Sequence, residues 1–470
     1  MDVDEPRRAL KRAWLAVGAL LAACSEQKQA VAPAEPEIIL GASVNANADN
    51  VLSAIVAARV HEADSVVVRF GLEGGPRDQV TPAIVPVGEE VQVPVLGLWP
   101  AARYVLEVAA YRGSAEGVAP VLHFETGSLP ADLPQYHASG TDPSAGYVAF
   151  SAGMYGLVID NTGRVVWYHR FPFGPGLNFE AQPTGRYYAR PSTPIVGDFE
   201  PWMEIDPLGN VTRTFGCAGG LTARFHDLIA QLDRSVWLLC DDTRVMDLTS
   251  VGGVAAAQVT GTVVQHVAEN GTLLFEWSAF DHFAITDLEP ADRSGVSVNW
   301  THSNALALDA DGNLLVSFRS ISEVTKIDPR TGAVIWRMGG LANQFTMHGT
   351  PLPAFVRQHG LRTLPGNQLM LLDNAGDPGA SRAERYLYDD ATHEAWLVAS
   401  YASLPAVRAQ LGGTTQALPA DRMLVAYGNG GRVEEYDASG AVVWRIEGDP
   451  GYVFRAQRIR SLYRPGVDLP

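Results

Sequence analysis

From residue 37 onward, apolar and polar positions alternate in short runs broken by Gly, Pro, Asn and Asp, the period of strands rather than helices. The first such runs fall at residues 38–40, 65–70, 91–95, 104–111 and 121–126. Beyond residue 145 a longer unit recurs: Val158-Ile-Asp160-Asn-Thr-Gly-Arg-Val-Val-Trp167, Glu204-Ile-Asp206-Pro-Leu-Gly-Asn-Val, Val267-Ala-Glu-Asn-Gly-Thr-Leu-Leu-Phe-Glu-Trp277, Lys326-Ile-Asp328-Pro-Arg-Thr-Gly-Ala-Val-Ile-Trp336 and Glu435-Tyr-Asp437-Ala-Ser-Gly-Ala-Val-Val-Trp444. Each is a strand, an Asp/Gly turn and a second strand ending near tryptophan. Hairpin patterns at 228–239, 306–316, 361–372 and 418–426 lie between them, and a degenerate copy near Tyr386-Leu-Tyr-Asp389 makes six. The interval is too long for one hairpin and suits a four-stranded blade, so the spacing predicts a six-bladed β-propeller. A flat sandwich would leave edges to protect and no reason for the repeat.

The all-β reading extends to the N-terminal part. Gly97-Leu98-Trp99-Pro100 ahead of Tyr104-Val-Leu-Glu-Val resembles the fibronectin type III pattern, in which a tyrosine corner locks a strand entry. Residues 37–127 are therefore expected to form a small fibronectin-III/Ig-like β-sandwich, a spacer or homodimerisation surface without chemistry of its own. Residues 128–145 read as a linker and 146–470 as the propeller. Ahead of the sandwich, Arg7, Arg8, Lys11 and Arg12 precede the apolar stretch 13–23, too short to span a bilayer. It ends in Leu21-Ala-Ala-Cys24, which resembles a bacterial lipobox. Residues 1–24 are thus expected to be a lipoprotein signal, with Cys24 the lipid-carrying residue, and 25–36 a tether. Export to the periplasm, anchored by lipid to the outer membrane, follows as the expectation. An ordinary secretory signal with a coincidental cysteine is the alternative. Cys217 and Cys240 would then share an oxidising compartment, where a disulfide and two buried thiols both fit the sequence.

Composition narrows the function classes. The 470 residues include 46 glycines and 30 prolines, and carry a net charge of −17. That acidity, without a basic cluster past residue 12, argues against nucleic-acid binding. No apolar run after residue 24 is long enough to cross a bilayer.

The candidate chemistry lies on three strands that open hairpins with histidine at nearly the same repeat position: Phe225-His226-Asp227-Leu228, Trp300-Thr-His302-Ser-Asn304 and Arg357-Gln358-His359-Gly360. Equivalent positions in successive blades converge on one mouth of the channel. Arg319, ending the second strand of the blade of His302, faces the same mouth. The other eight of the 11 histidines show no such phase and read as structural or surface residues. Imidazoles, a guanidinium and the amide of Asn304, with Asp227 the carboxylate in phase, suit an anionic, oxygen-rich group. There is neither a Gly-rich phosphate loop nor a Gly-x-Ser-x-Gly elbow. Histidine can itself be the nucleophile, through a neutral ring nitrogen.

These residues, with Ser317-Phe-Arg319, the stretch from Lys326 to Met338-Gly-Gly340, and Leu372-Asp373-Asn374-x-Gly376-Asp377, resemble the bacterial aryl-sulfate sulfotransferases. That resemblance covers roughly residues 145–450. It implies a periplasmic six-bladed propeller that moves a sulfuryl group between phenols, without a nucleotide donor, cofactor or metal. It makes His359 the nucleophile that becomes a sulfohistidine in a ping-pong course. His302, Asn304 and Arg319 would bind the sulfuryl oxygens, and His226 would contact the sulfate or assist proton transfer. Phe345, Phe355, Trp300 and Tyr168 are candidates for aromatic walls of the pocket. Two other readings stand beside it. One is a metal-dependent hydrolase holding zinc on His226, His302 and His359, against which the guanidinium of Arg319 argues. The other is a non-enzymatic propeller lipoprotein acting as an envelope scaffold, which leaves the phased histidines unexplained.

Overall fold

The aspartates that mark the repeats close their own turns. Asp160 Oδ1 accepts the N–H of Thr162 at 2.9 Å and of Arg164 at 3.2 Å, and Asp206 Oδ1 those of Leu208 and Asn210, both at 2.9 Å. Asp437 does the same with Ser439 and Ala441. A short carboxylate hydrogen-bonding to backbone two and four residues on is the reason aspartate recurs there. Three of the four tryptophans at the ends of the second strands then reach sideways, while the indole N–H of Trp277 is buried without a partner among the described residues. The indole N–H of Trp167 donates to Pro207 O at 2.8 Å, that of Trp444 to Asn161 O at 2.9 Å, and that of Trp336 to Asp390 Oδ1 at 2.5 Å. The residues that make the repeat legible thus fasten one sheet to its neighbour.

The computed structural model describes residues 37–195, 197–374 and 379–467. The chain is nearly all β, with eight sheets among the described residues. Six of them hold the repeats. In order along the chain their first strands are Tyr147–Ala152, Gly176–Gln182, Thr222–Ala230, Ser303–Leu308, His359–Leu364 and Thr414–Leu418. Each is followed by antiparallel partners, so the sheets are meanders of four or five strands. Successive first strands pack side by side, and Thr414–Leu418 packs on Ala456–Ile459, which pairs with Tyr147–Ala152 of the first sheet. The order of neighbours therefore returns to where it began.

The closure is double. Ala456–Ile459 from the chain end completes the first sheet, and His137–Gly140 pairs with Val442–Glu447 of the sixth. Residues 137–140 lie in the segment expected as linker; His-Ala-Ser-Gly lacks the alternation that marks a strand.

Beneath the mouth, a buried ion network gathers groups from neighbouring sheets. Arg455, at the start of Ala456–Ile459, bonds Glu180 of the second sheet and Asp227 of the third, the latter at 2.8 Å. Asp227 also accepts Arg362 Nη1 at 2.9 Å from the fifth sheet and Leu306 N at 3.0 Å from the fourth. Burial alone would raise the Asp227 carboxyl, but Arg362 and Arg455 outweigh it and hold it below its ordinary value. Asp227 is consequently a fastener, with both oxygens engaged.

Residues 39–125 form two further sheets around one apolar cluster that includes Val56, Val68, Val93 and Val108. The Tyr104 hydroxyl accepts the Trp99 N–H at 2.8 Å, the corner contact expected from the spacing. The strand Ser53–Val60, rich in alanine, belongs to this part and carries no clear alternation in sequence. Cys217 and Cys240 form a disulfide, joining the segment after Val211–Phe215 to the strand Val236–Met246. Among the described residues no helix is long and apolar enough to cross a membrane. Cys24 and the expected signal and tether lie outside the described residues, as do Gly376 and Asp377.

Candidate active site

His226, His302 and His359 all stand at or beside a break in register between the first and second strands of their sheets. His226 lies within the break between Ala223 and Leu228, His359 at the edge of the one before Arg362, and His302 just ahead of its strand and of the break at Ser303/Ala305. Such bulges re-aim a side chain out of the pleat. His302 also has φ +48°, and its carbonyl accepts the Arg319 N–H at 2.9 Å, bringing the guanidinium to the same mouth. A non-glycine residue in the left-handed region carries strain of the kind found at functional positions. After His359 the chain needs glycine: at Gly360, φ +64°, a Cβ would lie 2.6 Å from Thr414 Cα.

The four predicted groups His226, His302, Arg319 and His359 line one cavity of about 440 Å³. Asn304 does not. It is buried and donates from Nδ2 to Gln358 O at 2.6 Å, which positions the backbone just before His359. Strict alternation would put residues 302 and 304 on one face; the irregularity at Ser303/Ala305 separates them. The expected aromatic walls are corrected as well. Trp300, Phe345, Phe355 and Tyr168 are buried in apolar clusters, and the cavity is walled by Phe199, Phe225, Tyr452 and Phe454.

Hydrogen bonds fix the tautomers. Asn374 Nδ2 donates to Ala409 O at 3.0 Å and Gly412 O at 2.8 Å, so its Oδ1, 2.8 Å from His359 Nδ1, must accept. His359 therefore carries its proton on Nδ1 and a lone pair on Nε2, toward which Gly412 N–H points at 3.3 Å. On the other side, Arg224 Nη2 donates to Asn299 Oδ1 at 3.2 Å, turning Asn299 Nδ2 toward His302 Nδ1 at 2.7 Å. His302 then holds its proton on Nε2 and offers it to His226 Nε2 at 3.1 Å. His226 is left with Nδ1–H buried and without a partner among the described residues, a cost of about 1–3 kcal/mol.

Burial, with Arg319 and Arg455 adding, pushes His359 down to about 3 against the opposing bond to Asn374. Burial and neighbouring positive groups likewise hold His226 and His302 well below their ordinary value. All three are neutral near neutral pH. The sign for stability follows: below about pH 6.5 the unfolded chain binds protons that native His359 refuses until about pH 3, so stability falls as pH drops through that window. His359→Gln is expected to lose less melting temperature than wild type between about pH 7 and about pH 4; equal losses contradict the assignment.

Cationic groups dominate the cavity. Arg224 is paired with Asp241 at 2.5 Å, whereas Arg319 has no carboxylate partner among the described residues, its Nη2 reaching only Gln410 O at 3.3 Å. Burial lowers the Arg319 pKa, with Arg357 adding to the effect, as expected of an uncompensated cation awaiting an anion. Among the described residues, the one set of His, Cys, Asp and Glu ligand atoms within 4.8 Å of each other is Asp309, Asp311 and Asp390, which surrounds Lys326 Nζ. The three histidines are not such a set.

Sequence reasoning missed Arg190, Arg224, Asn299, Gly412, Tyr452 and Phe454 in this cavity. Arg224 and Asn299 stand two and three residues before phased histidines, a weak signal; the others had none. Asn374→Ala removes the group that fixes the His359 tautomer and is expected to slow any reaction at His359 Nε2 by about 10- to 100-fold, measured as kcat.

Residues 222–449 match the family described as arylsulfotransferase (ASST). The chain carries an arylsulfotransferase domain. The match takes in all three histidines and Arg319 and leaves out the first two sheets. The family implies a sulfotransferase acting on small-molecule substrates. No curated protein matches the chain in sequence. Among solved structures the chain is similar to a Bacteroides caccae protein of unknown function, at 14% identity over 68% of this chain and 100% of that one, TM-score 0.44. It is also similar to virginiamycin B lyase from Staphylococcus aureus, at 9% identity over 68% and 89%, TM-score 0.35. Neither similarity bears on function.

Proposed function

We propose that the protein is an aryl-sulfate sulfotransferase working by a ping-pong course through a sulfohistidine at His359, on a six-bladed β-propeller preceded by a β-sandwich. The observation that carries this reading is His359 itself: a neutral imidazole with Nδ1–H held by Asn374 and its Nε2 lone pair in a cavity with the unpaired guanidinium of Arg319.

Nε2 attacks the sulfur of an aryl sulfate, the N–S bond forms, the S–O(aryl) bond breaks, and its electron pair leaves on the phenolate oxygen. An acceptor phenol oxygen then attacks the same sulfur, the N–S pair returns to Nε2, and the acceptor gives up its proton. Arg319 and the His302 Nε2–H hold the sulfuryl oxygens, stabilising charge that spreads over them in a loose transition state. His226 Nε2 is the site for the acceptor's proton once a ligand oxygen takes the His302 Nε2–H and separates the two rings. Asn304 supports the site through Gln358.

Export, acylation at Cys24 and attachment to the outer membrane belong to the same proposal, and the Cys217–Cys240 disulfide supports an oxidising compartment. The test is transfer from 4-nitrophenyl sulfate to phenol by the purified protein, read as nitrophenol release that depends on acceptor. Release abolished by chelation and restored by zinc would instead support the three-histidine hydrolase.

A further inference from the structure

Arg190 is a second buried cation without a counter-ion. It lies on the strand Arg186–Pro191 of the second sheet and is 7% exposed. Its Nε is buried without a partner, and its one hydrogen bond is a 3.5 Å contact from Nη2 to Phe199 O. Among the described residues it forms no ion pair; of the two carboxylates acting on it, Asp198 is exposed and makes no ion pair with it, and Asp241 is already engaged by Arg224 at 2.5 Å. Burial lowers its pKa to about 10. An uncompensated guanidinium in such a place costs free energy that an anion would offset.

Its position relative to the histidines gives that anion a chemical class. Arg190 lies over the Phe199 ring at 5.4 Å; Phe199 packs on Phe225 at 4.6 Å, and Phe225 stacks on His226 at 4.1 Å. This aromatic floor runs from Arg190 to the reacting end. Arg190, Phe199, Thr222 and Ala223 also line an adjoining cavity of about 420 Å³ that none of the three histidines borders. Space therefore continues past Arg190, away from His359.

We infer that Arg190 recognises a second, acidic substituent on the aromatic substrate, so that the preferred acceptors are phenols bearing a carboxylate, their ring lying on Phe199 and Phe225. A guanidinium fork matches a carboxylate bidentately, and the ring between supplies stacking area. This inference rests on the sulfotransferase reading for its chemistry, not for its binding.

The experiment compares 4-hydroxyphenylacetate with 4-ethylphenol as acceptors, using the full chain and 4-nitrophenyl sulfate as donor. Wild type is expected to favour the acid by about 10- to 100-fold in kcat/KM, and Arg190→Met to bring that ratio toward one, largely through KM for the acid. Arg190→Lys, which keeps charge but loses the fork, is expected to fall between and guards against misfolding of the methionine variant. Calorimetric titration of the two phenols needs no turnover: wild type binds the acid more tightly, and Arg190→Met loses that difference. No preference in wild type, or a preference unchanged in both variants, overturns the inference. If neither phenol accepts sulfuryl while the titration difference holds, the transfer reading fails and the Arg190 assignment stands.

Discussion

His359→Ala is expected to abolish sulfuryl transfer, lowering kcat by about 10⁴-fold or more, as for removal of other covalent nucleophiles. The loss should be chemical rather than structural. The side chain of His359 makes two hydrogen bonds, to Asn374 and from Gly412, and neither belongs to the ladder of a sheet. Binding of the donor, made by Arg319 and His302, should persist, so an unreacted aryl sulfate still protects the variant against thermal unfolding. His302→Ala separates the roles. It removes one donor to the sulfuryl oxygens and is expected to cost about 10²–10³-fold while leaving a protein that still takes up the group.

Arg455→Met carries the largest expected effect on stability, about 3–5 kcal/mol, read from the shift of the denaturant midpoint at unchanged slope. Its guanidinium bonds Glu180 and Asp227, both buried, and its removal leaves Glu180 with Arg362 at 3.6 Å as its remaining cation, beside the neutral Asn178 Nδ2 at 3.1 Å. The double variant Arg455→Met with Glu180→Gln removes one stranded charge and should recover part of the loss. Activity is expected to fall too, because Arg455 Nη2 also reaches His226 O at 3.4 Å and Asp227 lies, next to His226, in the irregular stretch between Ala223 and Leu228 that aims that ring. A double variant no more stable than Arg455→Met would contradict the stranded-charge explanation.

The repeat was legible because its residues do recurring physical work: aspartates close turns and tryptophans join sheets, and neither substitutes easily. The phased histidines were legible for the same reason, since first strands with a break at the same place deliver side chains to the same mouth. What escaped depended on breaks in periodicity. Asn304 was misplaced by the irregularity at Ser303/Ala305. Trp300, Phe345 and Phe355 look like pocket aromatics in sequence, but large rings are needed between sheets, and that demand took them. Tyr168 instead accepts from the N-terminal part: its carbonyl takes Asn50 Nδ2 at 3.0 Å, and its hydroxyl takes Val51 N–H at 3.1 Å. The actual walls come partly from irregular segments, as with Phe199, Tyr452 and Phe454, where no pattern marks a direction. Asn374 was visible as part of a motif, but its task, setting a tautomer, depends on the carbonyls of Ala409 and Gly412, far along the chain.

The most direct measurement is intact-mass and peptide-mapping spectrometry of the protein mixed with an aryl sulfate in the absence of acceptor. A covalent intermediate at His359 predicts a gain of one sulfuryl group on the peptide containing that residue, discharged when phenol is added and absent from His359→Ala. A protein that releases phenol at full rate without ever carrying the group, or carries it on another residue, would contradict the proposal.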